Sequence, residues 1–113
     1  MALNTAGLTL AANGFKASAT HMSLHSADPG TTGTNATTAA RQAVTMTVDG
    51  NGDLSVPQTA FTGGAASGAV THVGFWSALT GGTFYGSFAI GSGDTAFNAA
   101  GAYTVNAFII NLT

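Results

Sequence analysis

The start of the chain has the hydrophobic pattern of a short helix. Between residues 3 and 16, apolar side chains recur at spacings of three and four residues, at Leu8, Ala11, Ala12 and Phe15. Asn4 or Thr5 is placed to cap the first turn, and Asn13-Gly14 is placed to end the helix through a left-handed residue. We therefore predict that residues 1–18 form a short N-terminal helix or arm.

Beyond residue 20 the hydrophobic period falls to two, which is the period of half-buried strands. The alternation predicts strands over residues 20–26, 41–48, 54–61, 70–79, 83–90 and 103–112. In residues 83–90 it places three apolar side chains on one face, namely Phe84, Phe88 and Ile90. The last segment is apolar on both faces, so we expect one face to be covered by the core and the other by something else.

Turn residues separate these segments. Asp28-Pro29-Gly30 stops the first predicted strand, and residues 49–53 have the composition of a hairpin loop. Pro57 marks a strand edge or bulge, because proline cannot donate to a ladder. We therefore predict a single all-β domain over residues 1–113. It is an antiparallel β-sandwich or partly closed barrel of about six to eight short strands, with a short N-terminal helix.

Charge is unusually scarce in this chain. Only 5% of the residues are charged, against roughly 25% in an average soluble domain. Two basic side chains cannot build the positive surface of a nucleic-acid-binding protein, so we predict no nucleic-acid partner. We also predict no membrane partner, because no apolar run approaches the roughly 18 residues of a membrane helix. Little net charge holds copies apart, which favours self-association.

The residues that could carry catalysis do not form a recognisable motif. The chain has no cysteine and no glutamate, and its aspartates lie in predicted turns. Ser92 lies between two glycines, but the surrounding residues lack the Gly-x-Ser-x-Gly pattern of a nucleophile elbow. Ser92 is better interpreted as a turn residue. We therefore predict no enzymatic activity, no catalytic residue and no cofactor.

Two sequence patterns resemble metal-binding motifs only weakly, and a structural role explains each of them better. His21 and His25 on one strand would lie roughly 13 Å apart, too far to share an ion. Asp49, Asn51 and Asp53 begin like a calcium-binding EF-hand loop. That loop requires Gly at its sixth position and Glu at its twelfth, where this chain has Leu54 and Ala60. A hairpin turn explains these residues better, and we predict no metal site.

Adjacent aromatic residues place one ring on each face of their strands. One ring of each pair, in Phe75-Trp76 and in Phe84-Tyr85, is expected in the core. The other ring is an interface anchor or a platform for a sugar. The sequence does not divide core from interface within the set Phe75, Trp76, Phe84, Tyr85, Tyr103, Phe108 and Ile110.

Most of the chain from residue 23 onward also resembles a known group of proteins. The segments concerned are residues 23–33 (SLHSADPGTTG), 40–45 (ARQAVT), 70–78 (VTHVGFWSA), 81–86 (GGTFYG) and 97–105 (FNAAGAYTV). In matching order, they resemble segments of small structural proteins from tailed phages, especially phages of actinobacteria. Proteins of this kind are minor capsid, head decoration or tail-fibre-like components. The resemblance implies a virion protein made in the host cytoplasm and brings no catalytic residues.

Three functions are therefore open. The leading hypothesis is a capsid decoration or minor capsid protein that binds the outer head surface as a small homo-oligomer, with a trimer favoured. Its partners would be the major capsid protein or other virion proteins. The first alternative is a minor tail or fibre-associated subunit. The second is a carbohydrate-binding module that contacts host-wall glycans through Trp76 or Tyr85.

Overall fold

The computed structural model describes residues 3–112, which contain one helix followed by nine short strands. These elements are α1 (Thr5–Ser18), β1 (His21–His25), β2 (Gln42–Ala43), β3 (Thr47–Val48), β4 (Leu54–Val56), β5 (Thr59–Phe61), β6 (His72–Trp76), β7 (Phe84–Ala89), β8 (Tyr103–Val105) and β9 (Phe108–Ile110). All strand pairs are antiparallel. The all-β prediction with a short N-terminal helix is confirmed, and the sheets do not close into a barrel.

The strands form three sheets. The largest has the order β2-β1-β6-β7, the second has the order β3-β4-β9, and the third pairs β5 with β8. Both predicted turns that bear on this layout are confirmed. The amide of Gly30 donates to the Asp28 carboxylate, and Asp49 receives the amides of Asn51 and Asp53 within the β3–β4 hairpin. Asp49 therefore stabilises a turn, as the composition of residues 49–53 indicates.

Helix α1 begins at a predicted cap residue and ends at Ser18, the last residue of the predicted helical segment, rather than at the predicted end signal. Asn4 is the N-cap, and its side chain accepts a hydrogen bond from the Gly7 amide at 2.9 Å. The predicted end at Asn13-Gly14 is wrong. Asn13 instead donates its side-chain amide to the carbonyl of Thr9, and the helix continues to Ser18. The chain is turned only at Ala19, whose amide donates to the carbonyl of Phe15.

Residues 41–48 do not form the single strand that their alternation predicts. The alternation itself is correct, because Val44 and Met46 are buried and their neighbours are exposed. However, β2 pairs with β1 while β3 pairs with β4. The segment leaves one sheet and enters another between these two short strands.

The predicted strands 54–61 and 103–112 are each interrupted once, and the two interruptions face each other. Val56 pairs with Phe108 and Thr59 pairs with Val105, with two residues left out on each side. The register therefore stays in step across the gap. Pro57 lies in this gap, as its missing N–H predicts.

A β-bulge in β7 corrects the predicted faces of residues 83–90. Trp76 pairs with Phe84 and Phe75 pairs with Gly86, so Tyr85 is an extra residue without a partner in β6. One inserted residue reverses the side-chain alternation on either side of it. Phe84 and Phe88 therefore lie on opposite faces of the sheet, although simple alternation places them together.

The core lies between one face of the four-stranded sheet, helix α1 and strand β9. Phe75 is fully buried at its centre and packs edge-on against Phe15 and Phe88, with ring centroids 5.6 and 5.8 Å apart. Phe108 from β9 approaches the same ring, with a centroid separation of 6.4 Å. Phe75 thus joins the helix and two of the sheets, and the opposite face of the four-stranded sheet is left for other contacts.

Candidate functional site

The opposite face of the four-stranded sheet carries a compact cluster of polar and aromatic side chains. We call it the outer cluster, and it consists of Ser23, His25, Gly74, Trp76, Phe84 and Arg41. The loop after β1 lies over it and approaches closely at Gly33, where φ is +78° and a Cβ atom would lie 2.5 Å from the Trp76 ring. Glycine is required at this position for both reasons.

Hydrogen bonds in the outer cluster form one directed chain. Trp76 Nε1–H donates to Ser23 Oγ at 2.8 Å, and Ser23 Oγ lies 2.6 Å from His25 Nε2. His25 Nδ1 lies 2.8 Å from the carbonyl oxygen of Thr34. A carbonyl only accepts, so His25 Nδ1 carries the proton, and Ser23 donates its hydroxyl hydrogen to Nε2. Each donor and acceptor in this series of hydrogen bonds has a partner when His25 is neutral.

Burial makes this neutral state the preferred one. His25 is 0% exposed. Desolvation lowers the pKa of His25 below its usual 6.5, the hydrogen bond to Thr34 opposes this, and the nearby charges of His72 and Arg41 add to the lowering. A protonated imidazole would also point a second N–H at Ser23, whose hydroxyl hydrogen would then need a different acceptor.

Arg41 closes the outer cluster at the side of Trp76. Its guanidinium carbon lies 3.6 Å from the centroid of the Trp76 ring, a cation–π contact. Arg41 Nη1 also donates to the carbonyls of Ala78 and Gly81 at 2.9 and 2.8 Å. Burial lowers the pKa of Arg41, although arginine stays charged. Since Phe84 lies against the same ring at 5.0 Å, Trp76 is not the open platform that a stacked sugar needs.

The residues considered for catalysis are not brought together. Ser92 lies in the loop after β7 and belongs to neither hydrogen bond of the outer-cluster histidine. Ser23 and His25 do form a Ser–His hydrogen bond, which the sequence analysis missed. A serine nucleophile would need to be accessible, and Ser23 is buried. Within residues 3–112, no group of three or more His, Asp or Glu side chains is placed to hold a metal ion.

A second surface is apolar and lies where two sheet edges meet. We call it the β7–β9 groove, a cleft of about 270 Å³ between the last strand of the four-stranded sheet and the last strand of the three-stranded sheet. It is lined by Val73, Phe88, Ala89, Ile90, Gly91, Ser92, Val105, Asn106, Phe108 and Ile109, and none of these described residues is charged. Phe88 and Phe108 touch across it, with centroids 6.3 Å apart.

Large apolar side chains remain exposed around this groove. Ile109 is 65% exposed and Phe88 is 36% exposed, although both belong to strands. We expected both faces of residues 103–112 to be covered. Within the described chain, the face that carries Ile109 is open to solvent. A contiguous apolar surface of this kind is typical of a protein-interaction site.

The structure gives distinct positions to the seven residues predicted as core or interface. Phe75, Tyr103 and Ile110 are buried in the core, and the Tyr103 hydroxyl donates to the carbonyl of Asp94. Trp76 and Phe84 are half-buried in the outer cluster, and Phe108 is half-buried in the groove. Tyr85 is 44% exposed because the bulge turns it outward. Phe88 and Ile109 were missing from the predicted set, although the doubly apolar last segment already pointed to Ile109.

The fold and the groove together define a small β-rich domain with an exposed apolar cleft. A family model described as "Podophage GP4 fiber I protein gp80" matches residues 6–111, so the chain belongs to this family. No curated protein and no solved structure matches the chain. The family makes the chain a structural protein of a phage virion, as the sequence resemblance implies. The actinobacterial host stays a prediction.

Proposed function

We propose that this chain is a fibre-associated subunit of a phage tail. The observation that carries the proposal is the match to a podophage fibre protein over residues 6–111, nearly the whole chain. Of the functions open from the sequence, this one was the first alternative. The leading hypothesis, a head decoration protein bound to the major capsid protein, gains no support from a fibre family.

The β7–β9 groove supports an assembly role for the subunit. Its exposed apolar side chains, Phe88 and Ile109, would be desolvated when a neighbouring virion protein packs on them. The favourable energy of such contacts scales with the apolar area removed from water, about 25 cal/mol per Å². The subunit thus docks to itself or to other virion proteins through packing.

The outer cluster supports a non-enzymatic role. A Ser–His pair could in principle act as nucleophile and base. In a catalytic triad the other imidazole N–H is donated to a carboxylate, whereas His25 donates its Nδ1–H to the backbone carbonyl of Thr34. Ser23 additionally receives the Trp76 N–H. These contacts hold the loop after β1 against the sheet, which is a structural function.

The proposal includes neither a nucleic-acid nor a membrane partner. Lys16 and Arg41 are the two basic residues of the chain, and the guanidinium of Arg41 is engaged with Trp76 and two carbonyls. Among residues 3–112, no helix has the length and apolar character required to cross a membrane.

Fractionated virions test the location. Purified particles are separated into tail-less heads and tails, and the chain is measured in each by mass spectrometry and by antibody labelling in electron micrographs. We expect it in the tail fraction, at the fibres, and not on tail-less heads. Many copies on tail-less heads would overturn the tail assignment and return the head decoration hypothesis to first place.

A further inference from the structure

We propose that the β7–β9 groove is covered by a second copy of this chain, so that copies associate at the β7 edge. The inference deepens the proposed assembly function and rests on it. Strand β7 is the last strand of its sheet, and within residues 3–112 no strand pairs with its outer side. Its outward N–H and C=O groups are therefore available to another chain.

The contrast among the sheet edges identifies β7 as the one prepared for pairing. Proteins protect exposed edges by keeping the strands short, by placing charges and prolines on them, or by bulges that twist the edge away. Strand β2 is two residues long and directly follows Arg41, and strand β3 is two residues long and directly precedes Asp49. Strand β7 has six residues and contains neither a charge nor a proline, and because its bulge lies near its start, at Tyr85, the regular part of its free edge is residues 86–89. The remaining edge strands, β5, β8 and β9, are three residues long, so β7 offers the longest uncharged edge among residues 3–112.

The side chains beside this edge favour burial over solvation. Tyr85 and Phe88 of β7 are 44% and 36% exposed, and Ile109 across the groove is 65% exposed. Aromatic side chains at the centre of an interface are among those that contribute most to affinity, and covering Ile109 would remove further apolar surface from water. Strand pairing at β7 would bring the copy's own apolar side chains over these residues and fill the groove.

The absence of charge in the groove favours a second copy of this chain as the molecule that covers it. A surface that packs against its own copy must not repel itself, which requires that it carry little charge of either sign. None of the residues that line the groove is charged, and the chain as a whole has two basic and four acidic residues. The groove therefore offers nothing for a charged partner to match, whereas a neutral apolar edge is complementary to itself.

Sedimentation velocity over a range of protein concentrations tests the inference. We expect the purified wild-type chain to associate, and we expect Ile109→Ser and Phe88→Ser each to raise the dissociation constant at least about tenfold. Leu10→Ser is the matched control, because it also removes a large aliphatic side chain that is 76% exposed, from helix α1. Association of the control should equal that of the wild type.

A labelling measurement covers the possibility that a serine variant fails to fold. The chain has no cysteine, so Ile109→Cys introduces a single thiol. Its alkylation rate should fall as protein concentration rises, while the rate at Leu10→Cys should stay constant. A wild-type chain that is monomeric at every concentration overturns the inference, as does association that Leu10→Ser abolishes or that both groove variants leave unchanged. None of these results bears on the tail location, which virion fractionation tests separately.

Discussion

Gly74 occupies the most crowded position of the outer cluster, and adding one methyl group there should destabilise the protein. A Cβ atom at Gly74 would lie 2.7 Å from both His25 Nε2 and Ser23 Oγ, and 2.9 Å from a ring carbon of Phe84. Favourable contacts between heavy atoms lie at roughly 3.5–4.0 Å. Gly74→Ala therefore forces the backbone at this position or the three neighbouring side chains to shift.

The expected cost has two parts. Overpacking a close-packed site costs about 1–3 kcal/mol. Separating Ser23 from His25 leaves buried polar groups unsatisfied, at about 1–3 kcal/mol. Alanine recovers about 0.5–1 kcal/mol because it restricts the unfolded chain more than glycine does. The net destabilisation should be about 1–5 kcal/mol, which corresponds to a fall in Tm of roughly 4–20 °C for a domain near this size.

Urea unfolding followed by tryptophan fluorescence measures this cost directly. Trp76 is the one tryptophan of the chain and belongs to the outer cluster, so its emission reports on the site as well as on global unfolding. Protein concentration must be held constant, because association adds to apparent stability. Gly14→Ala is the matched control: nothing lies within 4 Å of the added methyl group, and the helix should gain about 0.5–1 kcal/mol.

The decisive outcome is that Gly74→Ala lowers the free energy of unfolding while Gly14→Ala raises it. If Gly74→Ala unfolds within about 0.5 kcal/mol of the wild type, the packing of the outer cluster described above is incorrect. A double-mutant cycle gives further detail. Ser23→Ala removes one of the atoms that the methyl group meets, so Ser23→Ala and Gly74→Ala together should cost less than the sum of the two single changes.

Three further predictions concern other contacts. Burial lowers the pKa of His25 in the folded state, so on acidification the imidazole is protonated in the unfolded chain at a higher pH than in the folded one. The free energy of unfolding should therefore fall as the pH drops below about 6.5, by up to about 1.4 kcal/mol per pH unit. A free energy of unfolding that stays constant between pH 7 and 5 would contradict this, and His25→Gln should remove this part of the pH dependence. Asn4→Ala should cost about 1 kcal/mol in thermal unfolding because the N-cap is lost, whereas Asn13→Ala within the same helix should cost nothing. Arg41→Lys should cost about 1 kcal/mol and alter the emission of Trp76, because lysine cannot stack on the ring and bond both carbonyls; unchanged emission would count against the stacked geometry.

Local pattern predicted the extended segments well but not their pairing. The alternation over residues 41–48 correctly indicates which side chains are buried, including Val44 and Met46. The alternation does not indicate that residues 42–43 pair with β1 whereas residues 47–48 pair with β4, because strand pairing depends on residues distant in sequence. The bulge at Tyr85 is likewise absent from the hydrophobic period, so the faces of Phe84 and Phe88 were assigned wrongly.

The two surfaces differed in how much of them the sequence could predict. The outer cluster joins β1 to β6 and to Arg41, and its only sequence signal is a run of polar residues in β1 that alternate with apolar ones. That pattern normally indicates a solvated face, whereas here Ser23 and His25 are buried beneath a loop. The groove had a clearer signal, because residues 103–112 have more apolar side chains than one face can cover.

The matched interruption of the β4–β5 and β8–β9 strands has a consequence for how the protein is made. Leu54 pairs with Ile110 and Phe61 pairs with Tyr103, so neither β4 nor β5 can complete its sheet until the last strands have left the ribosome. Closing so long a loop is slow, and its cost is recovered only when the pairs form. During synthesis, residues 54–61 therefore remain exposed and vulnerable to wrong partners. A chaperone that covers this segment would raise the yield of folded protein.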